Sequence, residues 1–112
     1  CDECDALYIP TDNTAASCTE TIGSIVRSAK TPVVAGEQGI CVGCGIATLS
    51  ISYYDIGQAA GEMAYEILVN GKDPGTMEIE YASATTKEYN ADVADALGIT
   101  IPDDYVKLST EE

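Results

Sequence analysis

Histidine, tryptophan and phenylalanine are missing from this chain of 112 residues, and five Lys and Arg stand against 19 Asp and Glu. Without histidine, neither a Ser-His-Asp nor a Cys-His constellation can be assembled, and no Gly-x-Ser-x-Gly elbow is present, so the common hydrolase sites are excluded and no enzyme is expected. The net charge of −14 leaves too few cations to grip phosphate backbones or an anionic membrane surface, which excludes nucleic acid as a partner. No apolar run approaches the about 18 residues of a membrane span. Gly39, Gly43 and Gly45 form neither GxGxxG nor a phosphate loop with its Lys, so no cofactor is expected. No signal segment is visible. The first residue is Cys1 rather than Met and a strand begins almost at once, so a piece of a longer chain is expected.

Five cysteines invite a metal or a disulfide. Cys1-x-x-Cys4 and Cys41-x-x-Cys44 are two CxxC pairs, but a whole helix and a strand separate them, more than a zinc ribbon allows, and no His can substitute as ligand. We therefore expect no metal site. A disulfide stays open, with the odd count leaving one thiol unpaired. Cys18 is expected on the apolar face of a helix, as a small hydrophobe.

What the chain does contain is 46% apolar residues, enough for one domain with a modest core. Ala6-Leu7-Tyr8-Ile9 reads as a short buried strand, with Tyr8 in the core, stopped by Pro10, which has no N–H to donate. Thr11, Asp12 and Asn13 follow, and a helix is expected over about 13–30. Its apolar positions Ala15, Cys18, Ile22, Ile25, Val26 and Ala29 recur in steps of three and four. Thr31-Pro32 closes it. Pro32-Val33-Val34-Ala35 is a second buried strand, so the two strands should be parallel, with a sheet of the α/β class. Gly36-Glu37-Gln38-Gly39 is then a polar loop on the same edge as Thr11-Asp12-Asn13. The carboxyl edge of parallel strands is where open α/β sheets bind small ligands. Asp12 or Asn13 also suits a helix cap, and one residue can cap while its neighbours face a ligand.

Further along, the glycines of 39–45 predict a flexible or tightly turned segment. Ala47 to Ser52 alternates as a half-buried strand, and a second helix is expected over about 54–70, with Gly71 as its stop and a turn at Asp73-Pro74-Gly75. Met77, Ile79 and Tyr81 alternate with Glu78 and Glu80 and predict an edge strand. The polar stretch 83–89 reads as a weak strand. Asn90 should cap a short helix that Gly98 ends. Residues 103–112 form an acidic tail.

The run Asp5-Ala-Leu-Tyr-Ile-Pro-Thr-Asp-Asn-Thr14, then Pro32-Val-Val-Ala-Gly-Glu-Gln-Gly39, Ala47-Thr48-Leu49, Tyr53-Tyr54-Asp55-Ile56-Gly57 and Leu97-Gly98-Ile99-Thr100-Ile101-Pro102 resembles, in order, the ABC-transporter substrate-binding proteins that include the tryptophan- and tyrosine-type receptors. The resemblance spans roughly Cys4 to Pro102. It implies a type I periplasmic-binding-protein fold of two hinged α/β lobes, with residues 1–102 as part of the C-terminal lobe. It further implies a small solute, an amino acid and an aromatic one, captured between the lobes and delivered to ABC permease subunits. The implied location is the extracellular face or periplasm, with a lipid-anchored parent. An effector-binding lobe of a transcription regulator shares this fold and is the alternative.

For an amino-acid ligand, Asp12 is the first choice for the ammonium and Glu37 the second, since an ammonium needs a carboxylate. Thr11, Asn13 and the N–H groups that follow would take the carboxylate, and Gln38 and Gly39 share the second loop. Tyr53 and Tyr54 offer rings to an aromatic solute, against core packing or helix capping as the plainer roles. The chain departs from the family pattern at Ser50-Ile51-Ser52, where the family has Gly-Ile-Asp, and in Thr85 to Tyr89, where the usual strand is apolar. Strands missing from a partial lobe would leave a sheet edge exposed, so a homodimer of this chain is expected.

Overall fold

The computed structural model describes residues 1 and 3–108 and divides into two units, Cys1–Ser50 with Thr86–Glu112, and Ile51–Thr85. The first unit is built on a five-stranded sheet: β1 (Leu7–Ile9), β2 (Val33–Ala35), β3 (Ala47–Ser50), β4 (Thr86–Tyr89) and β5 (Val106–Lys107), in that spatial order. β1, β2 and β3 are mutually parallel, β4 runs antiparallel to β3, and β5 is parallel to β4. The helices of this unit are α1 (Asn13–Ser17), α2 (Thr19–Ser28), α3 (Gln38–Gly43) and, after α4 of the second unit (Tyr53–Leu68), α5 (Ala91–Leu97). This is the mainly parallel α/β sheet expected from the strand–helix–strand pattern.

Register places Ile9, Ala35, Thr48 and Glu88 in one row across four strands, with their side chains on one face. On that face Ala35, Ile40, Cys41, Cys44 and Leu108 form a core, joined by Ile9, Ala15 and Ile22. A second cluster joins Ile46 to Val93 and Ala94, with Tyr89, Leu97 and Ile101 around it. Fully burying an aliphatic side chain such as Ile40 is worth about 1.5–3 kcal/mol. The opposite face carries Tyr8, Val34 and Leu49, which are 67%, 43% and 56% exposed. Tyr8 is therefore not core: alternation along β1 turns it away from the helices.

The single helix expected over 13–30 is two. Its break is at Cys18, where the Ser17 hydroxyl donates to Thr14 O at 2.8 Å and competes with the helical ladder. Cys18 is exposed, as is Ile25, so the apolar stripe narrows to Ala15, Ile22 and Val26. The glycine-rich segment 39–45 is not a loose turn but α3, wedged against α2. A Cβ at Gly43 would sit 2.3 Å from Thr19 Cβ, so glycine is required for that approach. All five cysteines are free thiols; Cys41 and Cys44 pack in the core, and no disulfide forms among them.

Asn90 caps α5 through Val93 N and Gly98 ends it in the left-handed region, as its sequence predicts. The weak strand within 83–89 is realised as β4. In the second unit, Ser52 caps α4 through Asp55 N, and Gly71 has φ +70°. The edge strand expected over 77–81 does not form. Asp73 instead caps a 3-10 turn at Pro74–Thr76, and Ile79 and Tyr81 are left 78% and 85% exposed. An alternating pattern needs a neighbouring strand to satisfy its ladder, and β3 is already paired with β4. Val106–Lys107 of the stretch 103–112 adds β5, while residues 109–112 lie outside the described residues.

Candidate functional site

The loops after β1 and β2 are held against each other at the carboxyl edge of two adjacent parallel strands. Gly36 N donates to Ile9 O at 2.7 Å, and Thr11 Oγ1 donates to Gly36 O at 3.3 Å. The approach is close enough that a Cβ at Gly36 would meet Thr11 N at 2.8 Å. Thr11, Asp12 and Asn13 are all exposed.

Asp12 is the N-cap of α1: its Oδ1 accepts from Ala15 N at 2.8 Å. Its second oxygen has no hydrogen bond among the described residues. Asn13 is the first residue of α1. Glu37 is the N-cap of α3 and both of its oxygens are taken, one by Gly39 N at 2.9 Å and the other by Ile40 N. Gly39 eases this fold-back: a Cβ there would lie 3.2 Å from the Glu37 carboxylate oxygens, which would have to give by a few tenths of an ångström. Of the two acids, Asp12 alone has an oxygen with no hydrogen bond among the described residues.

Gln38 opens α3 and reaches across to β4, with Nε2 3.5 Å from Glu88 Oε1. Glu88 Oε2 accepts from Ser50 Oγ at 2.5 Å. Thr48, opposite Glu88 in the strand pair and 2% exposed, has a buried Oγ1 with no hydrogen-bond partner among the described residues. Sequence reading missed Glu88, Ser50 and Thr48 as a group. The one available signal was the polar character of 85–89, where an apolar strand was the norm. Beneath them, the Cys41 thiol is pushed up to about 12. Burial is the main cause, followed by the neighbouring Cys44 and the carboxylates of Glu88 and Glu37.

Thr11, Asp12, Asn13, Glu37, Gln38 and Gly39 thus all lie in the first unit, on two joined loops. Tyr53 and Tyr54 belong to the second unit, where they are the first two residues of α4 and are 60% and 80% exposed, so neither packs in a core. Within that unit, α4 and the segment 80–82 bound an apolar cleft of about 300 Å³, lined by Ile51, Ile56, Ala60, Met63 and Tyr81 among others.

Comparison with known proteins places this geometry in context. The chain is 33% identical over 107 residues to a tyrosine-binding protein of Clostridioides difficile, covering 96% of this chain and 29% of the relative. A ligand-free, open structure of a substrate binding protein with adhesive properties from Clostridium difficile matches with TM-score 0.73 and 35% identity, over 96% of this chain and 37% of that one. An ABC domain in complex with L-Trp from Streptococcus pneumoniae matches with TM-score 0.79 and 32% identity, over 91% and 34%. The chain therefore spans about a third of the length of these relatives. The family model for ABC transporter substrate binding proteins matches residues 1–112, and the chain belongs to that family.

Proposed function

We propose that this chain is part of the C-terminal lobe of a two-lobed receptor that captures an amino acid, aromatic in character, and delivers it to the permease of an ABC importer. The parent acts on the extracellular face of the membrane or in the periplasm, lipid-anchored. One observation carries the reading: the β1 and β2 loops are locked together at the carboxyl edge of parallel strands, with one Asp12 oxygen exposed and free of protein partners among the described residues. That oxygen takes the solute's ammonium, while Thr11 and Asn13 offer donors to its carboxylate. Glu37, bound to its own helix, shapes the second loop rather than meeting the ligand first. The tyrosine- and L-Trp-binding relatives support an amino-acid solute of aromatic character.

The test is titration calorimetry of the full-length protein containing this chain against a panel of L-amino acids, using Asp12→Asn. Asparagine caps a helix about as well as aspartate. Stability should therefore hold while affinity falls about 10-fold or more through loss of the charge-assisted hydrogen bond. Binding of no panel member, or wild-type affinity in Asp12→Asn, would refute the reading.

A further inference from the structure

We infer that Glu88, with Ser50 and Thr48, forms a second subsite that selects solutes carrying a hydrogen-bond donor, an ammonium or a hydroxyl, at the end remote from Asp12. The inference rests on the solute-binding reading above and extends it to what the solute must carry.

Position is the first support. Glu88 shares its row with Ile9 and Ala35, the last residues of β1 and β2, so it stands at the same carboxyl edge as the two loops. Its carboxylate is half-buried and points to the helix-covered face, beside Gln38 of the second loop. The second support is what Glu88 lacks. An ionised carboxylate is an acceptor only, with room for about four hydrogen bonds. Here it has the Ser50 hydroxyl and a long contact to the Gln38 amide, and no Lys or Arg among the described residues forms a salt bridge with it. Gln38 and Ser50 leave acceptor capacity on both oxygens.

Thr48 adds a buried donor to the same group. Its Oγ1 is buried and unpartnered, although buried hydroxyls are nearly always paired. Directly opposed residues of an antiparallel pair have Cβ atoms about 4.5–5.5 Å apart, so the Glu88 carboxylate lies within reach of the Thr48 hydroxyl when it turns. Thr48 then donates to the Glu88 carboxylate, which with Ser50 and Gln38 leaves about one of its four acceptor positions open. A solute ammonium or hydroxyl completes the set. A solute ending in a hydrocarbon covers this half-buried carboxylate without supplying a donor, and a site built to hydrogen-bond a solute's donor rejects the analogue that lacks it.

Matched pairs of solutes test this in the full-length protein: L-lysine against L-norleucine for an ammonium, and L-tyrosine against L-phenylalanine for a hydroxyl. Titration calorimetry should show the donor-bearing member of at least one pair binding about 10-fold tighter or more, the worth of a hydrogen bond to a charged group. The pair that discriminates identifies the donor. In Glu88→Val, a good strand former, and in Glu88→Gln, which keeps the shape, that ratio should fall to about twofold or less, with the hydrocarbon member bound no more weakly than before. Equal affinities within both pairs in the wild type, or a ratio unchanged in both variants, would overturn the inference and leave the receptor reading standing. Failure of every solute to bind would refute the receptor reading and the inference with it.

Discussion

At Cys41 the thiol is fully buried and held protonated well beyond its ordinary range, up to about 12, by desolvation first and by Cys44, Glu88 and Glu37 after it. Cys44 beside it is raised too, again mainly by burial, with Arg27 pulling the other way. Since the thiolate is the reactive form, Cys41 and Cys44 should resist a thiol reagent in the native protein, while exposed Cys1, Cys4 and Cys18 react. Mass spectrometry after brief alkylation should find label on those three and on all five after denaturation; native labelling of Cys41 would contradict the buried core. The same shift sets a pH dependence. As pH rises past 9.0 the unfolded chain releases the Cys41 proton, whereas the folded chain keeps it until about 12. The unfolded state then binds fewer protons than the native state, so stability falls as pH rises through that window, with no contribution below it. Thermal melts above pH 9 should show a shallower decline in Cys41→Ala than in the wild type, whatever the variant's starting stability.

α3 is the element on which the two loops depend, and long-range contacts hold it. Arg27 Nη2 donates to Gly43 O at 3.2 Å, and Asn90 Nδ2 donates to Cys41 O and Val42 O while its Oδ1 caps α5. Asn90→Ala removes the α5 cap and the tie to α3 together. A cap alone is worth about 1 kcal/mol, so the loss should be roughly 1–3 kcal/mol in chemical denaturation, with Asn90→Asp recovering the cap but not the tie. Gly43→Ala should cost a similar amount, since its Cβ meets the Thr19 backbone-proximal atoms rather than a flexible end. These contacts also mark where sequence reading stopped. β1 and β2 were legible from apolar runs, β3 from alternation, and α5 from Asn90 and Gly98, because those signals are local. The glycines of 39–45 looked like a loose segment because what Gly43 accommodates, Thr19, is distant in sequence. The 77–81 alternation misled because a strand is made by its partner. The loops of the candidate site were legible from strand ends alone. Ser50 and Glu88 were not, because 38 positions separate them and only the antiparallel return of β4 brings them together.

At the scale of the whole molecule, a net charge of −14 opposes the apolar surface the first unit leaves open. β1 pairs with β2 on one side and has no strand on its other side among the described residues. A bare edge offers its N–H and C=O groups to another strand, and the face beside it exposes Tyr8, Val34 and Leu49. We propose a second copy of this chain as the occupant. Charge repulsion between copies is screened beyond about 8 Å at physiological ionic strength, while apolar burial is not. Self-association of the 112-residue chain should therefore strengthen when salt is raised from millimolar to physiological levels. The opposite salt response would indicate ion pairing between copies. Sedimentation across a concentration series at both ionic strengths should show mass rising with concentration, more steeply in salt. Tyr8→Lys sets a charge on the edge strand and Leu49→Lys sets one on the open face, so both should return the chain toward monomer without loss of folded signal. A chain that stays monomeric at every concentration and both ionic strengths would show that the −14 charge outweighs the exposed edge and face.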